Sequence, residues 1–370
     1  MRERPSRARG LTLGKRGRIV YLGRNQDLVS RHSRRIPLNS ESYDVFGLGN
    51  ALVDIQAQVP EEFLTRHGLS KGVMTLVEAS RQIEILADIQ GVPVHTSSGG
   101  SACNTVVGLA GLGGRGYYAG KVGGDAHGTF FQDELKTLGI RSDLAPSPSP
   151  TGTCLVLITP DADRTMLTCL SASVELGAPD IDPHRIAASR YVYVEGYLWD
   201  APGPKAACQA AMEQARAHGA RVAFSYSDPF CVARARDDFR RLSQEQVDLV
   251  FCNRDEACMI SGESDGEAAC RTIASWGPDV FVTLGEAGAC YGSGSTFQRI
   301  EPFPVKAVDT NGAGDLFAGG VLFGLSRGYT PALAGRLGSY AASRVVLRTG
   351  ARLPREELAA ALTVLERMPG

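Results

Sequence analysis

Residues 309–320 read DTNGAGDLFAGG. Gly312, Ala313 and Gly314 put bare backbone amides directly before the carboxylate of Asp315, and an apolar run follows. Amides in the first turn of a helix meet no carbonyl of that helix and carry the positive end of its dipole, so such a start attracts anions. Two uses fit the pattern. Asp315 could simply stabilise a helix start, worth about 0.3–1 kcal/mol. Alternatively, the amides could hold a phosphate while Asp315 takes a proton from a hydroxyl that attacks it. A lone Ser, Asn or Asp caps a helix, so Gly-Ala-Gly is superfluous for the first use. With an ordinary pKa near 3.9, an aspartate works as a base only as the alcohol proton acidifies in the transition state, and it orients the nucleophile meanwhile. The amides would stabilise charge on the moving phosphoryl group.

Competing motifs are incomplete. GKR (14–16) and GKV (120–122) lack the glycine spacing and Ser/Thr of a P-loop. GLGNAL (47–52) has Leu52 where a dinucleotide fingerprint has its third glycine, and Glu78 fills the distant acidic position only by stretching. GESDG (262–266) spells a hydrolase elbow but follows a helical pattern rather than a strand. There is no H-E-x-x-H, and the six His form no ligand cluster.

These residues must be carried by an ordered scaffold. The chain has 370 residues, 43% hydrophobic and 21% charged, enough for a large core or two domains. The net charge of −1 conceals a basic arm: residues 1–40 hold 11 Lys+Arg against Glu3 and Asp27, leaving 28 basic and 38 acidic residues beyond. Such an arm fits a disordered extension, a start codon assigned too early, a transit peptide or a nucleic-acid tail. Its lack of an apolar face, and of aromatics beyond Tyr21, favours an extension over 1–42 that contacts no nucleic acid. No apolar run reaches the roughly 20 residues of a membrane span. Nine scattered Cys, odd in number and without C-x-x-C, read as reduced thiols in a cytoplasm.

From 191 onward the pattern alternates strand and helix: YVYVEGY, helix 202–218, RVAFSYS, helix 231–242, VDLVFC, helix 254–261, a further helix near 266–275, then DVFVTL. That alternation predicts a parallel sheet covered on both faces. Helices at 313–327, 331–347 and 355–367 follow. An earlier strand at Val45–Leu48 and an apolar helix in SGGSACNTVVGLAGLGG belong to the same layer. Segments near 51–60, 70–78, 92–98 and 145–170 include half-wet alternating strands unsuited to a buried parallel sheet. They predict a small, discontinuous second sheet packed as a lid, with APSPSPTG (145–152) as the most linker-like stretch inside.

DTNGAGD with its helix, and SGGSACNTVVGLAGLGG, together resemble the two signatures of the ribokinase-like (PfkB) carbohydrate and nucleoside kinases, over roughly residues 44–355. The resemblance implies an α/β fold, a doubly wound, mostly parallel sheet with a small β-sheet lid spanning 43–370. It implies ATP as donor, Mg²⁺, and room for a monovalent cation. Asp315 would be the base and Gly312, Ala313 and Gly314 the anion hole. Within the family, GLGNALVDI and RTGARLP (348–354) are closest to adenosine kinases. Asn50 and Asp54 would then bind ribose hydroxyls, with Gly99, Gly100 and Asn104 completing the sugar site. PTGTC, Leu170, Ala172 and SYSDPF would line the nucleoside pocket, with Tyr197 and Phe230 flanking the base. The D-x-N-x-R pattern usual in sugar kinases is missing where SYSDPF stands, and Asp228 replaces a small apolar residue.

The same resemblance implies that Arg164 reaches from the lid to the phosphates. Asn253 and Glu256, in NRDE, would organise Mg²⁺ through water. Thr283, Gly285 and Gly288, with Asp309, Thr310 and Asn311, would hold the nucleotide, and Ser339 would border its adenine. The expected reaction is transfer of the ATP γ-phosphoryl group to a nucleoside 5′-hydroxyl, with adenosine first. A free sugar such as ribose or fructose is the alternative acceptor, and a non-catalytic nucleotide-binding relative a further one. Small molecules, not nucleic acid or membrane, are the expected partners, for a monomer or a homodimer.

Overall fold

The computed structural model describes residues 42–161 and 163–366. The basic arm, as far as residue 41, and the last residue of the expected helix 355–367 lie outside them. The first half contains β1 (Tyr43–Leu48), β2 (Leu52–Gln58), α1 (Glu61–Arg66), β3 (Met74–Leu76), α2 (Ala79–Asp88), β4 (Val94–Gly99), α3 (Ser101–Gly111), β5 (Gly116–Gly123), α4 (Ala126–Thr137), β6 (Arg141–Ser147), β7 (Gly152–Ile158) and β8 (Arg164–Cys169). Next come α5 (Pro183–Ala187), β9 (Ser189–Glu195), α6 (Pro202–His218), β10 (Arg221–Ser225), α7 (Pro229–Glu245), β11 (Leu249–Asn253), α8 (Arg254–Ser261) and α9 (Gly266–Ser275). The chain closes with β12 (Asp279–Thr283), β13 (Ala289–Ser293), β14 (Thr296–Ile300), α10 (Ala313–Ser326), α11 (Pro331–Val345) and α12 (Arg355–Glu366).

Nine strands form the large sheet in the order β14-β13-β12-β11-β10-β9-β1-β5-β6. It is parallel from β12 to β6 and antiparallel only at β13 and β14. Successive residues of β1 face opposite layers: Val45 packs with α3 and α10, whereas Phe46 and Leu48 pack with α6. That double coverage is what a run of buried strand residues requires. The strand order turns back at β1, which lies between β9 and β5, and the C-terminal ends of β1 and β9 open a crevice there, the usual ligand position in such sheets.

The second sheet has five strands in the order β3-β8-β7-β2-β4. Its register pairs Asp54 with Ser97 of β4 and Cys154 of β7. One expectation needs correcting. Residues 145–147 do not join this lid; they end β6, the edge strand of the large sheet, paired with β5. An edge strand can carry Pro146 because the missing N–H faces no partner strand. The lid part of 145–170 therefore begins at Gly152. The hairpin β13–β14 was not anticipated either.

Small residues set the distance between α3, α10 and α11. A side chain at Gly319 would strike the Thr105 carbonyl at 2.6 Å, and one at Gly320 would strike the Gly338 Cα at 2.7 Å. This close approach brings the first turn of α10 against the first turn of α3.

Candidate active site

Beneath the lid is a cavity of about 710 Å³, floored by the ends of β1, β9, β10 and β11 and by the starts of α3 and α10. Asp315 lies on its floor. Its Oδ1 accepts a hydrogen bond from Ser101 Oγ (2.6 Å) and its Oδ2 one from Asn104 Nδ2 (3.1 Å). Burial pushes its carboxyl up to about 6, against the hydrogen bonds from Ser101 and Asn104 and the charge of Arg352. Such a pKa suits a base better than that of a free aspartate does. Gly312 caps α10 with φ of 73°, and a Cβ there would meet the Ala351 backbone at 2.6 Å, so glycine is required twice over. Of the three expected amides, Ala313 N–H already donates to Thr310 O (3.2 Å). No such bond ties Gly312 or Gly314 among the described residues, so the open part of the cradle is narrower than the sequence reading had it.

Asp54, on lid strand β2, also borders the cavity and feels the charge of Asp315. Burial raises its carboxyl to about 6, with Arg352 and Arg164 pulling it down and Asp315 and Glu134 pushing it up. Gly100 enters α3 at φ 94°, where a Cβ would collide with the Asn50 carbonyl. Gly99 adjoins Asp54 in the same manner but does not border the cavity. Glu195, which the sequence reading passed over, joins these parts. Its Oε1 accepts from Asn50 N (2.8 Å) and its Oε2 from Ala102 N (2.7 Å), and burial lifts its carboxyl to about 7. Its position as the one acidic residue ending the apolar strand YVYVE was the available signal.

Apart from Asp54 and Thr168, the lid side of the cavity is apolar: Leu52, Val73, Met74, Leu76, Cys154, Val156, Met166 and Leu170 border it. Tyr197 lines the wall. Its backbone N–H, with that of Gly196, is held by Ser227 Oγ (3.3 and 2.8 Å), and Ser227 has φ of 72°. Phe230 stands at the mouth, 67% exposed. Asp228 caps α7 through Cys231 N (2.7 Å) and also borders the space. Ala172 is fully buried and does not border the cavity; its amide is bound to Pro150 O, packing the residue behind the wall.

Arg164 folds over from the lid tip onto Asp309, with Nη2 2.7 Å from Oδ2 and both side chains 7% exposed. Its Nε and Nη1 are buried and meet no protein acceptor among the described residues. Asp309 is further held by Asn311 N (3.0 Å) and Gly350 N (2.8 Å), so it braces the loop before Gly312 and does not itself line the cavity.

Toward β11, Asn253 and Glu256 form a capping box: Asn253 Oδ1 accepts from Glu256 N (2.9 Å) and Glu256 Oε2 from Asn253 N (3.0 Å). Glu256 is 3% exposed, and burial, with Asp228 and Asp255 adding to it, raises its carboxyl to about 7. Glu256 Oε1 also accepts from Asn253 Nδ2 (2.6 Å), and no group of three or more His, Cys, Asp or Glu among the described residues could hold a metal, so the pair fits a hydrated Mg²⁺ only through the ion's waters. The Gly312 and Gly314 amides likewise suit a phosphate; Arg164 does not itself border the cavity, and its unfilled donors stand beside Asp309. Thr283, Thr310 and Asn311 border the same end, whereas Gly285, Gly288 and Ser339 lie away from the cavity.

The family model described as pfkB family carbohydrate kinase matches residues 73–358. Among solved structures, the adenosine kinase from Sinorhizobium meliloti is 38% identical, with a TM-score of 0.81, covering 87% of this chain and 99% of that one. A probable sugar kinase protein from Rhizobium etli CFN 42 is 36% identical, with a TM-score of 0.81, covering 88% and 99%. The adenosine kinase of Saccharomyces cerevisiae is 28% identical over 334 residues, which is 84% of this chain and 97% of that protein.

Proposed function

Because the chain belongs to the pfkB family of carbohydrate kinases, we propose that its cavity binds a nucleoside, with adenosine first, and directs ATP to the 5′-hydroxyl. The protein is a phosphotransferase with an alcohol as acceptor. In the proposed site, Asp54, Asn50 and Asn104 take the ribose hydroxyls, and the primary alcohol lies toward Asp315. Its proton passes to an Asp315 oxygen as the alcohol oxygen forms a bond to the γ-phosphorus and ADP leaves. Gly312 and Gly314 offer amides to the phosphoryl oxygens. Arg164 offers Nε and Nη1 from the lid. Mg²⁺ when bound supplies charge neutralisation for the ATP phosphates, and Asn253 and Glu256 are the residues that would hold its waters.

One observation carries the choice of nucleoside. Hydroxyl-binding groups, Asp54 on the lid with Asn50 and Asn104, stand beside the apolar lid side chains Leu52, Met74, Met166 and Leu170, matching a molecule with a polar ring at one end and a flat apolar ring at the other. The 36% identity to a probable sugar kinase supports a second reading, a free sugar as acceptor. Nine free cysteines, eight of them buried, support a cytoplasmic setting, and no helix of the described residues is long and apolar enough to cross a membrane.

The test is ADP release on a panel of nucleosides, ribose and fructose, with Mg²⁺ and with or without K⁺. The expected result is the highest kcat/KM for adenosine. A preference for a free sugar would establish the second reading, and no turnover of any alcohol would overturn both.

A further inference from the structure

Arg352 does not border the active-site cavity. It lies on the loop between α11 and α12, on the far side of Asn104, and is 17% exposed. Its guanidinium carries donors only. Nε donates to Asn104 Oδ1 (3.0 Å), Nη1 to Ser98 Oγ (2.9 Å) and Nη2 to Cys103 Sγ (3.3 Å). Glu134 Oε1 stands 3.6 Å from Nη1. These contacts tie the C-terminal segment to β4, α3 and α4 at once.

Asn104 is thus caught between Arg352, which can only donate, and the ionised carboxylate of Asp315, which can only accept. One amide orientation satisfies both neighbours. The oxygen must face the guanidinium, and the NH₂ must face Asp315 Oδ2, where it donates at 3.1 Å. Without Arg352 the amide loses its reason to prefer that orientation, and Asp315 loses one of its two side-chain donors whenever the amide turns.

We propose that Arg352 is a positioning residue for phosphoryl transfer: acting through Asn104, it fixes the direction in which the Asp315 carboxylate points. The inference rests on the reading of Asp315 as the base. Arg352 touches neither acceptor nor ATP in that reading.

Charge supports the geometry. Asp315 is faced by Ser101 and Asn104 of α3, Asp54 of β2, Tyr193 and Glu195 of β9, Tyr197 beyond β9, and Arg352. Asp54 is faced by Arg352, Arg164, Glu134, Cys154 and Asp315. Arg352 is therefore a cation acting on both Asp54 and Asp315, and it lowers the pKa of each. Removing it raises both. A base must be deprotonated to act, so the acid limb of the activity profile moves to higher pH.

The experiment is a kinetic cycle of Arg352→Met, Asn104→Ala and the double variant, with pH profiles of kcat for Arg352→Gln and Arg352→Lys. Asp315→Asn serves as a separate check on the base: if it stays active, that reading fails whatever Arg352 does. Arg352→Met is expected to lower kcat about 10- to 100-fold. In the Asn104→Ala background the same change is expected to cost less than about threefold, since the relay is already gone. Arg352→Gln keeps a donor but no charge, and its acid limb is expected to move up by about half a pH unit or more. Arg352→Lys keeps the charge and is expected to hold that limb in place. An equal loss of kcat with and without Asn104 would overturn the proposal. Should Arg352→Met fail to fold, the Gln and Lys pair decides: coincident acid limbs in the two variants would overturn it too.

Discussion

Asp315→Asn should abolish catalysis and make the protein more stable. The carboxyl of Asp315 is raised from 3.8 to about 6, chiefly by burial. The folded protein thus keeps this proton to a higher pH than the unfolded chain does. Stability from this group is fully present below the unfolded value, near 3.8, and is lost as pH rises through about 6. At 1.36 kcal/mol per pH unit the buried charge costs at most about 3 kcal/mol above that range. The carboxylate opens onto the cavity, where water screens it, which leaves about 1–2 kcal/mol. Asparagine has the same shape and no charge. Its oxygen can accept from Asn104 Nδ2, and its NH₂ can donate to Ser101 Oγ, a hydroxyl free to turn and accept. The variant should therefore melt about 2–4 °C higher than the parent at pH 8, with the difference vanishing toward pH 4. Its kcat should fall by at least about 100-fold, the lower range for a lost general base. Thermal melts from pH 4 to 8.5 and coupled ADP release measure the two effects. A rate loss under about tenfold would refute the role as base, and a lower melting temperature at pH 8 would refute the electrostatic reasoning.

Asp54→Ala should raise KM for the nucleoside about 10- to 100-fold, the worth of hydrogen bonds to a charged acceptor, and change kcat less; an unchanged KM in steady-state kinetics would remove Asp54 from the sugar site. Arg164→Met leaves the buried Asp309 carboxylate without its cation, so the melting temperature should drop together with a rise in KM for ATP; a drop in stability at constant KM would make Arg164 purely a lid fastener. Truncation of residues 1–40 should leave kcat/KM within about twofold, because every described residue bordering the cavity lies at 50 or beyond; a larger loss would give the arm a part in the reaction.

What was legible in the sequence is what short-range chemistry dictates. Bare amides beside a carboxylate have few uses, so DTNGAGD could be read on its own. The parallel layer was legible because strands buried on both faces alternate with helices whose glycines and caps mark their ends. The errors have physical causes. APSPSPTG read as a linker within the lid, yet its first residues end β6, an edge strand whose outer side needs no donor from Pro146. In the hairpin β13–β14, the outer strand, TFQRI, is short and mostly wet, and sequence period alone gives it little weight. Ala172 shares a segment with Leu170, but the helical turn after Leu170 carries it into the packing behind the wall. Arg352 sits in RTGARLP, which the sequence marked only as a resemblance; its role was unreadable, since its partners Ser98, Cys103 and Asn104 lie about 250 residues away in the chain.

The lid contact brings binding and closure together. Arg164 spans from the tip of the small sheet to Asp309, so the lid is down over the floor. In that position its Nε and Nη1 are out of water and without acceptors, which costs about 1–3 kcal/mol for an unfilled buried donor. Asp309 does not relieve this, because it meets Arg164 only at Nη2. An anion lying between the lid tip and the first turn of α10 can. In the proposed reading that anion is the terminal phosphate of ATP, so the closed form is favoured when the donor is in place and penalised when it is not. In that reading the apolar roof would cover the acceptor in the same closed form. That closed form would keep water from the γ-phosphorus, where hydrolysis would otherwise compete.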